Sequence, residues 1–455
     1  MIGSQIDTIA AIATPPGEGA LAVLRLSGKQ ALCIADSVFQ SPSGRKPSEV
    51  PSHTVHYGHV VREGKIIDEV LLTVFRSPRT FTTEDTVEIS GHGGPLVARL
   101  VLETLLAAGA RLAEPGEFTQ RAFLHGRLDL AQAEAVVDLI HARTELALES
   151  AHGQLAGRLS EAVQSVRDQL LHVLAHIEAH LDFPDEDIAP HSEAEMVGRI
   201  SEARQALEEL LRTAPEGQVL RQGLRTAILG RPNAGKSSLM NRLLGQDRTI
   251  VSPIPGTTRD TVEETANLGG VPVTLIDTAG LRATDDPVEA EGVRRSEAAA
   301  READLILLVI DGSRALEPSD LEQWERHRQR PNLVLLNKCD LPVLAEVPTD
   351  MKFIRISGMT GEGMETLKES IREFVWSGER RWTPSSVAIS ARHADALRRT
   401  LEGADRTLDT LQGGIGLELA AFELRGALGA VGEIVGETTT DDLLDSIFSQ
   451  FCLGK

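Results

Sequence analysis

The segment Gly230-Arg231-Pro232-Asn233-Ala234-Gly235-Lys236-Ser237-Ser238 has residue types and spacing that suit the binding of a phosphate group. It follows an apolar, strand-like run at 224–229 and opens a helix-like run at 238–244. Its glycines let successive backbone N–H groups turn towards a phosphate, Lys236 supplies a positive charge, and the Ser237 hydroxyl can ligate Mg²⁺. The segment therefore predicts a P-loop, and by itself it leaves ATP and GTP both open.

A second motif narrows the choice of nucleotide. Asn337-Lys338-Cys339-Asp340 follows another apolar run, at 333–336. This N-K-x-D spacing resembles the guanine-reading element of GTPases, in which Asp340 would accept hydrogen bonds from the guanine edge. Ser357 is the expected serine of the base-contacting loop, and Gly358 after it departs from the usual alanine. The predicted nucleotide is GTP.

Two further segments resemble the loops that respond to the γ-phosphate. Asp277-Thr278-Ala279-Gly280 resembles a D-x-x-G loop, whose Asp contacts Mg²⁺ through water and whose Gly N–H senses the γ-phosphate. Upstream, Gly256-Thr257-Thr258-Arg259-Asp260, which follows Ser252-Pro253-Ile254-Pro255, resembles a first switch. Thr258 would complete the Mg²⁺ coordination beside Ser237.

The residues after Gly280 bear on how water would be activated. Leu281 stands where Ras-like proteins carry the glutamine that orients the attacking water, and a leucine cannot do this. Other candidates lie on the second switch, namely Asp285, Asp286, Glu289 and Glu291. Arg259 and Arg282 are candidate arginine fingers that could equally form salt bridges within the switches. Alternatively, Asn233 and the carbonyl-rich stretch 252–257 resemble GTPases that hold K⁺ beside the nucleotide, where the ion supplies the positive charge.

Composition limits the functions open to the chain. The 455 residues are 41% apolar and carry a net charge of −21, with only 3% aromatic residues, which argues against a broad basic surface or an extended base-stacking platform. Cys33, Cys339 and Cys452 are far apart and form no disulfide framework or C-x-x-C site. The chain begins without a basic leader, and its longest apolar runs suit buried strands. We therefore predict a cytoplasmic protein that does not bind membranes.

The pattern of elements that must position these motifs predicts an α/β and α-helical multidomain protein. Short β-rich runs and one helix at 95–108 predict an α/β domain over residues 1–117. Helical periodicity predicts a first helical part at 118–219 and a second at 379–455. Alternating strand-like and helix-like segments predict an inserted Ras-like P-loop GTPase domain at 220–378 with a parallel sheet. The helical domain is thus predicted to be discontinuous.

Nearly the whole chain resembles the MnmE (TrmE) family of bacterial tRNA-modification GTPases. The most specific similarity lies outside the GTPase motifs, in segments that begin at residues 13, 24, 91, 115, 128 and 451. They read Ala13-Thr14-Pro15-Pro16-Gly17, Leu24-Arg25-Leu26-Ser27, Gly91-His92-Gly93-Gly94-Pro95, Pro115-Gly116-Glu117-Phe118, Leu128-Asp129-Leu130-Ala131-Gln132-Ala133-Glu134-Ala135 and Phe451-Cys452-Leu453-Gly454-Lys455.

The resemblance implies a homodimer whose N-terminal domain looks like a folate-binding fold and binds 5-formyltetrahydrofolate or a related folate. The matching folate contacts are Arg25, Glu88, Arg127 and Lys455. It implies K⁺ ligands at Asn233, Ser252, Ile254 and Thr257, and a water-orienting glutamate at Glu289. It also implies a partner, the FAD- and NADH-using protein MnmG, in a heterotetramer that modifies C5 of the wobble uridine of certain tRNAs.

Two other functions stay open at this stage. A potassium-dependent regulatory GTPase for ribosome assembly would share the central motifs, although the chain has no obvious basic RNA-binding appendage. A one-carbon-transfer enzyme with a regulatory GTPase domain would consume folate without a flavoprotein. Cys452, close in sequence to Lys455, could be a nucleophile or a small packing residue.

Overall fold

The computed structural model describes residues 7–182, 193–246, 264–276, 297–376, 387–414 and 416–455. Within these ranges, contacts divide the chain into two units. The first unit comprises residues 7–137 together with 432–455, so that the end of the chain packs with its beginning. The second unit comprises the described residues from 138 to 431.

The first unit is built on a seven-stranded sheet with the order β3-β4-β5-β6-β2-β1-β7. Neighbouring strands are antiparallel except for β1 and β7, which pair in parallel. The strands are β1 (Ile9–Ile12), β2 (Leu21–Ser27), β3 (Phe39–Gln40), β4 (Thr54–Arg62), β5 (Lys65–Phe75), β6 (Thr86–His92) and β7 (Arg111–Leu112).

Alternation along the strands separates a core face from a polar face. In β2, Leu24 and Leu26 are buried, whereas Arg25 between them points to the opposite face because side chains alternate with a period of two. The core face packs against α1 (Ala31–Val38) and α2 (Pro95–Ala107). Burial of one face therefore fixes which side carries Arg25.

The end of the chain folds onto the start of the helical segment of this unit. The helices here are α3 (Glu117–Leu124), the first part of α4 (Leu130–His141) and α14 (Asp441–Phe448). Gly116 precedes α3 with φ of 70°, and a Cβ at this position would lie 2.6 Å from the carbonyl oxygen of Phe448. The rings of Phe448 and Phe123 also lie close together, with 6.4 Å between their centroids and a tilt of 41°. A glycine at 116 therefore lets α14 approach α3 closely.

The second unit contains a group of long helices, some of them amphipathic. They are α5 (Glu145–Leu155), α6 (Arg158–Asp182), α7 (Glu193–Arg212), α8 (Ala214–Gln222), α12 (Ala391–Gln412) and α13 (Leu417–Val435), the last of which continues into the first unit. In α6 the buried residues recur every three or four positions, from Leu159 to Ile177. Nε of Arg204 lies 2.6 Å from Oδ1 of Asp405, and this ion pair links α7 to α12.

Among the described helices, none is both long and apolar enough to cross a bilayer.

The same unit holds a six-stranded sheet with the order β13-β12-β11-β8-β10-β9. Its strands and helices are β8 (Leu224–Leu229), α9 (Lys236–Gln246), β9 (Glu264–Leu268), β10 (Val271–Leu275), β11 (Leu305–Asp311), α10 (Pro318–His327), β12 (Asn332–Asn337), β13 (Phe353–Arg355) and α11 (Met364–Val375). Alternate residues of β11 enter two different cores, one on each face of the sheet.

The predicted fold class is confirmed, with one refinement of the sheet. Five strands pair in parallel as expected, but the edge strand β9 is antiparallel to β10. The two are joined by Gly269 and Gly270, both with positive φ, and so short a connection permits only an antiparallel hairpin.

Candidate nucleotide site and basic cluster

The predicted P-loop connects the end of β8 to the start of α9. Gly230 has φ of 142°, and a Cβ there would lie 2.2 Å from the carbonyl oxygen of Val309. The Lys236 ammonium donates to the carbonyl oxygens of Gly230 and Arg231, each at 2.7 Å. Burial lowers the pKa of Lys236. An anion brought into the loop would offset this desolvation, as expected of a phosphate site.

The other residues of the predicted P-loop differ in conformation and exposure. Asn233 is exposed and takes a left-handed conformation with φ of 62°, which asparagine tolerates better than most residues. Ala234 is buried, whereas Ser237 is exposed in the first turn of α9 and Ser238 is half-buried. The Ser237 hydroxyl is thus at the helix N-terminus, where an anionic phosphate is favoured, and it can ligate a Mg²⁺ ion that accompanies the phosphate.

Asn337 connects the P-loop to the predicted guanine-reading loop. Its side-chain Nδ2 donates to the carbonyl oxygen of Ala234 at 2.8 Å, and its Oδ1 accepts from the backbone N–H of Gly358 at 3.0 Å. The residue is 2% exposed. A Cβ on Gly235 would lie 2.1 Å from Nδ2 of Asn337, so a side chain at 235 would displace this connection. Asn337 therefore holds two loops together rather than presenting its amide to solvent.

The guanine-reading loop presents Asp340 on the surface. Ser357 is fully buried, and its hydroxyl donates to Oδ1 of Asp340 at 2.6 Å while accepting from the N–H of Thr360 at 3.0 Å. The glycine at 358, where alanine is usual, suits its close packing, because a Cβ there would lie 3.1 Å from the backbone nitrogen of Leu239. Ser357 is thus placed to orient the Asp340 carboxylate.

Lys338 is also oriented by a neighbouring strand. It has φ of 66°, and its ammonium contacts Oδ2 of Asp311 at 2.6 Å. Burial acts to raise the pKa of Asp311, but hydrogen bonds from Lys338 and Ser313 outweigh it, so that the pKa lies below its usual value. Asp311 is not among the residues predicted from the sequence, where its only signal is its position at the end of a buried strand.

Many of the predicted GTP contacts lie outside the described residues. They are Ser252, Pro253, Ile254, Pro255, Gly256, Thr257, Thr258, Asp277, Thr278, Ala279 and Gly280. The predicted water-orienting residue Glu289 also lies outside the described residues. The structure therefore brings together the P-loop residues with Asn337, Lys338, Asp340 and Ser357.

The four predicted folate contacts can be followed in the first unit. Arg25 and Glu88 are direct cross-strand partners in β2 and β6. Two nitrogens of the Arg25 guanidinium contact the same Glu88 oxygen, Oε1, at 2.9 and 2.8 Å. A third contact runs from Arg25 to the carbonyl oxygen of Gly454 at 3.3 Å. This last contact brings the end of the chain to the sheet.

Arg127 and Lys455 complete a basic cluster, defined here as Arg25, Arg127 and Lys455. The Arg127 guanidinium donates to the carbonyl oxygen of Thr80 and lies 5.1 Å from the ring centroid of Phe81. Arg25 lies 5.9 Å from the same ring and 5.6 Å from that of Phe118. Two guanidinium groups therefore share one aromatic ring, an arrangement favoured by cation–π attraction.

Lys455 is held at this cluster by the backbone. Its carbonyl oxygen accepts from the N–H of Phe118 at 3.2 Å, and its side chain is half-buried. Burial lowers the pKa of the Lys455 ammonium, and the positive charge of Arg25 lowers it further. Neither Phe81 nor Phe118 is among the folate contacts predicted from the sequence, because a lone aromatic residue gives no sign of which cations it will meet. The cluster can attract an anion that also has an aromatic surface.

Comparisons with known proteins agree with this architecture. Residues 8–127 match the family described as the GTP-binding protein TrmE N-terminus, and residues 130–452 match the MnmE helical domain. The chain belongs to the MnmE family of tRNA modification GTPases. The family resemblance predicted from the sequence is confirmed.

Full-length relatives of the MnmE family support the same assignment. A Chloroflexus aurantiacus protein named tRNA modification GTPase MnmE is 49% identical over 456 residues, covering 99% of this chain and 100% of the relative. A Lactococcus lactis subsp. lactis protein of the same name is 47% identical over 453 residues, and the alignment covers 99% of this chain and 99% of the relative.

Among solved structures, the chain is similar to the G domain of the T. maritima FeoB iron transporter, with 28% sequence identity and a TM-score of 0.23. The match covers 33% of this chain and 96% of the FeoB chain.

Proposed function

We propose that this protein is the GTP-hydrolysing component of the system that modifies C5 of the tRNA wobble uridine (U34). In this proposal it helps to add a carboxymethylaminomethyl or aminomethyl group, with a formyl-tetrahydrofolate as one-carbon donor and the FAD-dependent MnmG as partner. The observation that carries the proposal is the coexistence in one chain of a P-loop linked to a guanine-reading loop and a basic, aromatic cluster on a separate sheet.

The described residues of the nucleotide site suit GTP and Mg²⁺. Lys236 would exchange its two carbonyl contacts for phosphate oxygens, and the first N–H groups of α9 would bind the same phosphates. Asp340, oriented by Ser357, would accept from the guanine edge. Ser237 would provide one Mg²⁺ ligand, and Thr258 is proposed as the second. Bound Mg²⁺ would supply charge stabilisation on the β- and γ-phosphates.

The proposed role of K⁺ rests on one described residue. Asn233 is exposed in the P-loop, where its side-chain oxygen could contribute to a cation site beside the nucleotide. Ser252, Ile254 and Thr257 are proposed to supply the other oxygens. Glu289 is proposed to position the attacking water, since Leu281 cannot do so. Replacement of Glu289 by Ala should abolish potassium-stimulated hydrolysis without weakening nucleotide binding.

The basic cluster suits a folate with a glutamate tail. Arg127 and Lys455 would meet the tail carboxylates, and Phe81 would provide a face for the pterin or benzoate ring. The oxygen of Glu88 that takes no part in the Arg25 ion pair could accept from the donor edge of the pterin. The cluster would therefore bind the carbon donor, while the P-loop unit binds GTP.

The proposed assembly is a cytoplasmic homodimer that joins MnmG in a heterotetramer. An exposed apolar strip on the first sheet supports self-association, since Tyr57 and Leu71 are cross-strand neighbours and are 48% and 49% exposed. Val55, on the same strand and face as Tyr57, is 59% exposed. The net charge of −21 supports the view that most tRNA contacts belong to the partner.

Nucleoside mass spectrometry of bulk tRNA tests the proposal. Cells lacking this chain would be complemented with the wild-type protein, with Lys236→Ala or with Arg25→Ala, and Arg199→Ala, an exposed arginine of α7, serves as the control. We expect C5-modified wobble uridine to return with the wild type and the control only. An unchanged nucleoside profile in the deleted strain would refute the function, and ribosome-subunit profiles of the same strain would test the assembly alternative.

A further inference from the structure

The hairpin β9–β10 occupies a special place along the chain. It lies between residues 251–263 and 277–296, which contain the two predicted switches. Its two strands pair through five residues each, from Val271 opposite Leu268 to Leu275 opposite Glu264. A tight turn at Gly269 and Gly270 joins the strands. A short, hydrogen-bonded hairpin of this kind moves as a unit, so a shift of either switch would be carried along it.

The base of this hairpin is contacted by the segment that connects α4 to α5. Arg143 donates a hydrogen bond from its guanidinium to the hydroxyl of Thr265. Thr265 is 2% exposed and faces Thr274 across the hairpin, with 3.3 Å between the two hydroxyl oxygens. Arg143 therefore bonds to a buried pair of hydroxyl groups, one on each strand of the hairpin. Strand β9 follows the first predicted switch, and strand β10 precedes the second.

The tip of the hairpin is contacted by the first turn of α5. A Cβ on Gly270 would lie 2.6 Å from Cδ1 of Leu146. Leu146 is the second residue of α5, whose N-cap Thr144 accepts from the N–H of Ala147 at 3.2 Å. The capped helix end fixes Leu146 relative to Arg143. Residues 143–146 thus meet the hairpin at its base and its tip.

The neighbouring helices tie this contact to the rest of the helical part. Arg221 near the end of α8 forms an ion pair with Asp138 in α4, at 2.8 Å. Gly223, the residue after α8, packs on the hairpin so closely that a Cβ would lie 2.5 Å from the hydroxyl of Thr274. A displacement of the hairpin by one residue, about 3.3 Å, would break the contacts of Arg143 and Leu146 together.

We propose that residues 143–146 transmit the nucleotide state from the hairpin to α4 and α5, with Arg143 as the positioning residue. The inference rests on the proposed GTPase function and adds a route by which that site acts on the helical part of the chain. Because coupling is reciprocal, loss of the contact must alter the relative affinities for the two nucleotide states.

Nucleotide titration of the full-length protein measures this coupling. Fluorescent GDP and a fluorescent non-hydrolysable GTP analogue would be titrated against Arg143→Ala, Thr265→Val, Thr265→Ser and the control Arg199→Ala. We expect the ratio of the two Kd values to shift by about fivefold in Arg143→Ala and Thr265→Val. Thr265→Ser keeps the hydroxyl acceptor, so it and the control should retain the wild-type ratio.

Hydrogen exchange in the peptides spanning residues 138–155 provides a second readout. In the wild type, the exchange rates of these peptides should differ between the two nucleotides, and in Arg143→Ala the difference should disappear. A merely structural role for Arg143 would change exchange equally with either nucleotide and leave the Kd ratio within twofold, and this result would overturn the inference. Absence of any nucleotide binding by the wild type would instead remove the proposed function, and the inference with it.

Discussion

Replacement of Ser357 by Ala tests how the guanine-reading loop is built. The Ser357 hydroxyl is buried, donates to Oδ1 of Asp340 at 2.6 Å and accepts from the N–H of Thr360 at 3.0 Å. The substitution removes both bonds while leaving the Asp340 side chain in the protein. It therefore separates the orientation of the carboxylate from its presence.

The size of the effect follows from the charge and exposure of Asp340. A hydrogen bond to a charged group contributes about 1.5–3 kcal/mol. Asp340 itself is exposed, so water compensates part of the loss and the lower end applies. A loss of about 1.4 kcal/mol corresponds to guanine-nucleotide affinity about tenfold weaker. Inosine nucleotides lack the exocyclic amino group that the carboxylate would accept from, so their affinity should fall by less.

Titration with fluorescent GDP and IDP measures both effects. Ser201→Ala, on the exposed side of α7, is the matched control, and thermal unfolding shows whether each variant is folded. In an Asp340→Ala background, the second substitution Ser357→Ala should weaken GDP binding by less than about twofold, because the shared contact is already gone. Fully additive losses, or equal losses for GDP and IDP, would show that Ser357 does not act through Asp340.

Three other predictions follow from single contacts. Gly235→Ala should weaken GDP binding by about tenfold or more, measured by the same titration, because a Cβ would meet Asn337 and the φ of 97° is strained for alanine. NMR titration should give His92 a pKa above 6.5, because its Nδ1 is 2.6 Å from Oδ1 of Asp68, and Asp68→Asn should lower that pKa. Lys455 should react with an amine-acetylating reagent faster than an ordinary lysine, because burial lowers its pKa, and 5-formyltetrahydrofolate should slow the reaction.

Each of these predictions has its own control. Gly198→Ala, in α7 with open space around its Cβ position, should leave GDP binding unchanged. The pKa of His92 is raised in the folded state, so the stability from its bond with Asp68 is present below about pH 6.5 and is lost as pH rises through the folded pKa. A His92 pKa unaffected by Asp68→Asn would contradict the assignment. For Lys455, acetylation of the exposed Lys65 is the internal reference, and equal slowing of both lysines by folate would exclude a specific site.

Much of the local structure could be predicted from the sequence. The apolar run at 224–229 coincides with β8, and the run at 333–336 lies within β12. The helix predicted at 95–108 is α2, which begins at Pro95 and ends at Ala107. These predictions succeed because strand and helix formation depend on short-range periodicity and on the residues at each end. The edge strand β9 differs from the predicted parallel sheet, because the two-glycine turn at 269–270 makes β9 and β10 an antiparallel hairpin.

The sequence by itself determined the nucleotide motifs, the family, and the fold class of strands and helices. Each of these depends on residues that are neighbours along the chain. Only the tertiary structure decided which side chains cooperate. Arg25 meets Glu88 and the carbonyl oxygen of Gly454 across separations of 63 and 429 residues. The side chain of Ser357 likewise donates to Asp340, and that of Asn337 donates to the carbonyl oxygen of Ala234. A hydrogen bond depends on distances of about 3 Å and on orientation, which are set by how the elements pack and leave no periodic signal in the sequence.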